Sequence, residues 1–123
     1  MSAFNWFSTE AKALALRTKL LTTSSTTTTY TAKVGRAADN FVFDRVIRVN
    51  TDSESSMTIT VPNGVAYGQE LIVLMETLGG SATVDVTTDT GDDATQMTAA
   101  GGYWIGRWMG STIGWITEDG SAT

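Results

Sequence analysis

The sequence contains no cysteine and no histidine. The first absence excludes a disulfide framework and any thiolate metal site. The second removes imidazole as a general base, as a metal ligand and as a charge switch near neutral pH. Proline occurs once, at Pro62, which leaves the chain free to form backbone ladders along most of its length. Long apolar runs are also missing. No stretch approaches the ~20 residues that a membrane-spanning helix needs, and no membrane partner is expected. The first residues lack a basic start leading into an apolar block, because Glu10, Lys12 and Arg17 interrupt the candidate stretch. No secretory signal is therefore expected, and synthesis in the cytoplasm follows as an expectation.

Positive charge is scarce and unevenly placed. The net charge is -5 over 123 residues, a poor balance for gripping phosphate backbones, so no nucleic-acid partner is expected. Through Arg48 there are seven cations against three acids; beyond it, Arg107 alone faces ten acids. A basic front and an acidic rear suit a head-to-tail or surface contact, although a short chain also acquires such asymmetry by accident. The apolar share of 41% is that of a folded chain rather than a disordered one. The length favours a single core.

Along the chain, Ser8 to Thr22 reads as a short helix. Ser8 or Thr9 supplies a cap, Glu10 suits the positive end of the helix dipole, and Ala13, Leu16 and Leu20 share a face. Phe4, Trp6 and Phe7 precede it. Aromatics at a terminus either fold back onto the core or anchor the chain in a partner. Thr22 to Thr29 is a run of Ser and Thr with no apolar face, and it reads as a linker or an extended arm. The expected organisation is an N-terminal arm over 1–29, with helix and linker, followed by a β-domain over 30–123.

From Tyr30 the hydrophobic period becomes two. Tyr30, Ala32 and Val34 alternate with polar residues; Phe41, Phe43, Ile47 and Val49 share a face, as do Met57, Ile59 and Val61. Pro62-Asn63-Gly64 signals a turn. Glu70 to Thr77 is apolar on both faces, with Leu71, Val73 and Met75 opposed to Ile72 and Leu74, so it is expected at a sheet centre or against a neighbouring subunit. Ala82, Val84 and Val86 follow. Two closing strands, Tyr103 to Met109 and Ile113 to Thr117, are expected around Gly110-Ser111-Thr112. Short strands and tight turns predict an all-β fold, an antiparallel β-sandwich or small barrel, with no long internal repeat.

Little of this sequence resembles a reactive site. Asp85, Asp89, Asp92 and Asp93 are the densest acids. Oxygen ligands at close spacing suit Ca²⁺, but the order lacks the alternation and terminal Glu of an EF-hand loop, and a solvated turn explains it as well. A glycosidase pair would need carboxylates facing each other across a cleft. No catalytic residue, metal or cofactor is expected. Tyr103, Trp104, Trp108 and Trp115 form an aromatic group that suits a core, a subunit interface or a sugar-stacking surface.

The order of signals from Thr29 to Asp119 resembles a β-domain found in bacteriophage virion proteins: tail-fibre segments, head fibres and capsid decoration proteins. The resembling pieces are Thr29-Tyr30-Thr31-Ala32, Phe43-Asp44-Arg45-Val46-Ile47-Arg48-Val49, and Met57-Thr58-Ile59-Thr60-Val61-Pro62. They continue with Tyr67-Gly68-Gln69-Glu70-Leu71-Ile72-Val73, Ala82-Thr83-Val84-Asp85-Val86 and Trp115-Ile116. The chain departs from the pattern at Thr87 to Ala100, which lacks a Gly-Asp-Thr-Ile segment, and in its Leu20-to-Thr29 tract. The resemblance implies a structural, homotrimeric protein of the virion. A module this short, without shaft or enzymatic β-helix, suits a decoration (cement) protein on the capsid surface. In that expectation Phe4, Trp6, Phe7, Leu16 and Leu20 grip the major capsid protein, and Leu71, Val73, Met75, Trp104 and Trp108 form the subunit interface. The alternative is a trimeric fibre or receptor-binding module that recognises host glycans.

Overall fold

The computed structural model describes residues 17–24, 28–35, 43–51, 55–78, 82–91 and 96–120. Eight strands and one short helical turn lie within them: β1 (Arg17–Thr22), β2 (Thr29–Thr31), β3 (Asp44–Thr51), β4 (Met57–Val61), β5 (Glu70–Leu78), β6 (Val84–Thr88), β7 (Tyr103–Trp108), α1 (Gly110–Ile113) and β8 (Trp115–Gly120). They make a five-stranded sheet in the order β1-β3-β5-β7-β8 and a three-stranded sheet in the order β2-β4-β6.

Up to β6 the chain alternates between the sheets, so each pass adds one strand to each. Consecutive strands of a sheet are therefore separated by a visit to the other sheet, which lets them run parallel. β1, β3 and β5 are parallel, and so are β2, β4 and β6. Among the described residues, the expected antiparallel pairing is found in β5–β7, the β7–β8 hairpin and two isolated bridges, Val34–Phe43 and Val84–Met97. Strands of one sheet nonetheless recur at similar sequence offsets. Thr18 lies beside Val46 and Val46 beside Ile72, offsets of 28 and 26 residues. Thr58 lies beside Asp85, 27 residues on. The repeat is one of strand geometry and alternation, carried by different side chains.

Arg17–Thr22, expected as the end of a helix, is strand β1 and pairs with β3. Its apolar residues suit either period over so short a stretch, and a neighbouring strand with Ile47 and Val49 inward selects the extended form. Ser8 to Leu16, the remainder of that expected helix, lies outside the described residues. The division expected at residue 29 cuts into β2 after its first residue, and β1 and β2 both pair with later strands. Thr23 and Ser24 continue from β1, and the Thr23 N–H donates to the Asn50 carbonyl at 3.0 Å.

The two sheets share one core. Ile47, Val49, Leu71, Val73 and Met75 come from the five-stranded sheet, and Met57, Ile59, Val61, Val84 and Val86 from the three-stranded one, all essentially inaccessible. Alternation is strict where it matters: β4 reads buried–half-buried–buried–half-buried–buried.

Candidate functional site

The C-terminal tryptophans belong to the core. Trp104 lies on β7, Trp108 ends it and Trp115 opens β8. The Trp104 and Trp115 ring centroids are 6.1 Å apart at 58°, those of Trp108 and Trp115 5.5 Å apart at 60°. These are tilted contacts of the favourable kind. The Trp115 Nε1–H donates to the Pro62 carbonyl at 2.9 Å, tying the hairpin to the turn after β4. A Cβ at Gly106 would stand 2.2 Å from the Trp104 ring, so the break in alternation at that glycine makes room for the indole. Gly114, at φ +79, lets the chain enter β8 where a Cβ would meet the Thr90 backbone at 2.2 Å. Trp104, Trp108 and Trp115 are buried, as are Leu71, Val73 and Met75. None of them offers surface to a sugar or to a second subunit, so the expected interface set is core.

The opposite side of the same strands is different. Register places Val46, Ile72 and Ile105 side by side, and Leu20, Arg48, Leu74 and Tyr103 in the neighbouring row. Alternation sends these outward from the core, and most are only half-buried. Leu20 remains 51% exposed and Ile116 on β8 42% exposed, at the two edges of the sheet. Ion pairs flank the apolar rows. Arg48 forks onto Glu76, with Nη2–H donating to Oε1 at 2.9 Å. That pairing holds the Glu76 carboxyl below its ordinary range and raises the guanidinium pKa. Arg45 and Arg107 both pair with Glu70, the latter at 3.0 Å. The sequence shows β5 to be apolar on both faces; what it does not reveal is which face the core takes. Val46 and Ile105 were identifiable as partners of Ile72 only once the parallel β3–β5 and antiparallel β5–β7 registers were known.

Near the first strands sits a buried carboxylate. Asp44, 2% exposed, accepts from the Tyr30 hydroxyl at 2.7 Å and from the Lys33 backbone N–H at 2.9 Å. Arg17 Nε lies 2.9 Å from its other oxygen, close enough for an ion pair but not aligned as a hydrogen bond. Arg17 also donates to the Tyr30 hydroxyl at 3.1 Å, and the Lys19 ammonium sits 5.8 Å from the centre of the Tyr30 ring. Burial, then the hydrogen bond to and charge of Asp44, push the Tyr30 phenol pKa upward. The group joins β1, β2 and β3 and therefore both sheets.

Phe4, Trp6, Phe7 and Leu16 lie outside the described residues; Leu20 stands on β1 rather than on a helix face. Of the acid group, Asp85 is on β6 and Asp89 follows it, with Gln96 Nε2 3.4 Å from Asp85. Asp92 and Asp93 lie outside the described residues. Among the described residues no three acidic side chains gather so as to hold a metal ion. Comparisons with protein-family models, with curated proteins and with solved structures found no match.

Proposed function

We propose that the protein is a structural component of a bacteriophage particle, a capsid decoration protein that self-associates as a homotrimer and has no catalytic role. The observation that carries the reading is the placement of apolar residues on the outer face of a sheet whose inner face is already packed. An outer face bearing Val46, Ile72, Leu74 and Ile105 suits burial against other protein chains. Burial of the three tryptophans counts against the glycan-binding alternative, because the rings that would stack on a sugar are inside the core. In this reading the protein is made in the host cytoplasm and ends on the capsid surface. Phe4, Trp6 and Phe7 anchor it to the major capsid protein. With three chains acting together, three weak anchors give a tight attachment.

The test is co-sedimentation with undecorated particles. Deletion of Met1 to Leu16 spares β1 and should leave the β-fold intact while abolishing binding. Trp6→Ala with Phe7→Ala should weaken binding by several kcal/mol per trimer when the arms act together. Undiminished binding of the truncated protein would remove the anchor from the account. Binding of both forms to host glycans but to no particle would favour the fibre alternative.

A further inference from the structure

Exposed apolar side chains gather at one end of the molecule. Among the described residues the exposed large hydrophobics are Leu20, Val65, Tyr67, Ile113 and Ile116. Leu20 stands apart on β1. Val65 and Tyr67 share the β4–β5 loop, Ile113 ends α1, and Ile116 lies just inside β8. These two segments are tied together. The Gly68 N–H donates to the Trp108 carbonyl at 2.8 Å, and the Trp108 N–H to the Gln69 carbonyl at 2.9 Å. The Tyr67 hydroxyl lies over Gly110, where a Cβ would stand 2.5 Å from it. Gln69 fixes the loop from within. Its Oε1 accepts from the Val65 N–H at 2.8 Å, and its Nε2–H donates to the Val34 carbonyl at 2.9 Å. The loop rests on Trp108, whose Cγ would be 2.6 Å from a Cβ at Gly64. On this frame Tyr67 keeps 81% of its exposure and Ile113 60%. A fixed frame lowers the ordering cost of binding. Apolar groups clustered in this way mark a contact surface, where scattered ones do not.

We propose that this end of the fold, with Val65, Tyr67 and Ile113 at its centre, docks onto an uncharged apolar patch of the major capsid protein. It is a rigid second contact beside the N-terminal anchor, and the inference rests on the decoration reading above. Charge and position choose the partner. Pro62 to Gln69 and Trp108 to Trp115 contain no charged residue. The flanking Glu70 and Arg107 are already paired with each other at 3.0 Å. An uncharged centre with an exposed tyrosine and charges at its rim has the composition of a protein interface. It offers no cation to a phosphate. The aliphatic Val65 and Ile113 beside the tyrosine would leave the hydroxyls of a sugar without partners. Position links the surface to the anchor. β1, β3 and β5 are parallel, so Arg17, Asp44 and Glu70 open their strands at the same end of the sheet. Glu70 lies opposite Arg107, and Trp108 opposite Trp115, so the docking surface is at that end too. Met1 to Leu16 therefore join the fold three strand spacings, about 14 Å, from β7. One partner surface can meet both. In a cyclic trimer, rotation leaves height along the axis unchanged, so three docking surfaces and three anchor attachment points face the same side. Contacts linked in this way reinforce one another through effective concentration.

The experiment is co-sedimentation of full-length variants with undecorated particles. Tyr67→Ala with Ile113→Ser should weaken binding by about tenfold or more, although Phe4, Trp6 and Phe7 are intact. Tyr67→Phe, which keeps the ring, should bind as the parent chain does. Val65→Ser, a milder change, should act in the same direction as the double variant. The replaced side chains are exposed enough that folding is expected to survive, and circular dichroism and light scattering check strand content and mass. Undiminished binding of the double variant would overturn the docking surface and leave the decoration reading standing. A fall of its mass to one chain would overturn it as well, by making these residues a contact between copies. A parent chain that sediments with no particle would overturn both. Loss of binding to neutral host glycans in the double variant would then assign the surface to the fibre alternative.

Discussion

Trp104 and Trp115 illustrate how equal burial hides unequal chemistry. Both are fully enclosed, yet only the Trp115 indole N–H has a partner, the Pro62 carbonyl; the Trp104 Nε1 has none among the described residues. Replacing either with Phe removes similar apolar area, but Trp115→Phe also leaves a buried carbonyl without its donor. Trp115→Phe should therefore be the more destabilising by about 1–2 kcal/mol in denaturant titrations. Asp44 makes a similar point for charge. It has lost its water and relies on Tyr30, Lys33 and Arg17. Asp44→Ala should cost roughly 2–4 kcal/mol, toward the low end because Arg17 keeps a third of its side-chain exposure and remains solvated. Tyr30 reports the same junction. Its folded pKa lies above the ordinary 10.0, so its contribution is fully present below that pH and fades as pH rises toward the folded value. In tyrosinate absorbance titrations, the signal missing from Tyr30→Phe should be a step well above the ordinary tyrosine range.

At the level of elements, strand positions were legible and strand partners were not. The alternation of Met57, Ile59 and Val61 and of Ala82, Val84 and Val86 locates two strands and their inward faces, because burial on a sheet has period two; Leu71 to Met75 locates a third strand but not its inward face. Parallel pairing leaves no such local mark. It depends on residues about 27 positions apart, and the three-residue patterns Thr29-Tyr30-Thr31, Thr58-Ile59-Thr60 and Asp85-Val86-Thr87 stack only once the offset is known. β1 was misread because Lys19 to Leu21 contains good helix formers whose state is decided by pairing with β3. The placement of β1 separates two truncations. Removing Met1 to Leu16 should leave the thermal midpoint little changed. Removing Met1 to Thr22 takes away a paired strand and the Arg17 contacts to Asp44 and Tyr30, and should lower the midpoint clearly in the same calorimetric scan. The β7–β8 hairpin makes its own demand. Gly106→Ala places a methyl group inside the Trp104 ring contact and should destabilise by about 1–3 kcal/mol.

Over the whole molecule, the charge asymmetry of the sequence becomes an asymmetry of the sheet, with Arg17 and Lys19 on one edge strand and Glu118 on the other. The outer face between them carries its charges in pairs. Glu76, with a folded pKa below its ordinary 4.5, contributes stability that is present above that pH and lost as pH falls through the lower folded value. Acid unfolding of Glu76→Gln should therefore lack the part of the transition that the Arg48 pair adds. The paired charges leave Val46, Ile72, Leu74 and Ile105 as the feature of this face that packing among the described residues does not explain. In the proposed reading self-association supplies their cover, and the mass of the full chain in solution tests that proposal most directly. Light scattering at micromolar concentration and physiological salt should return three chains per particle; a mass of one chain across that range would contradict it.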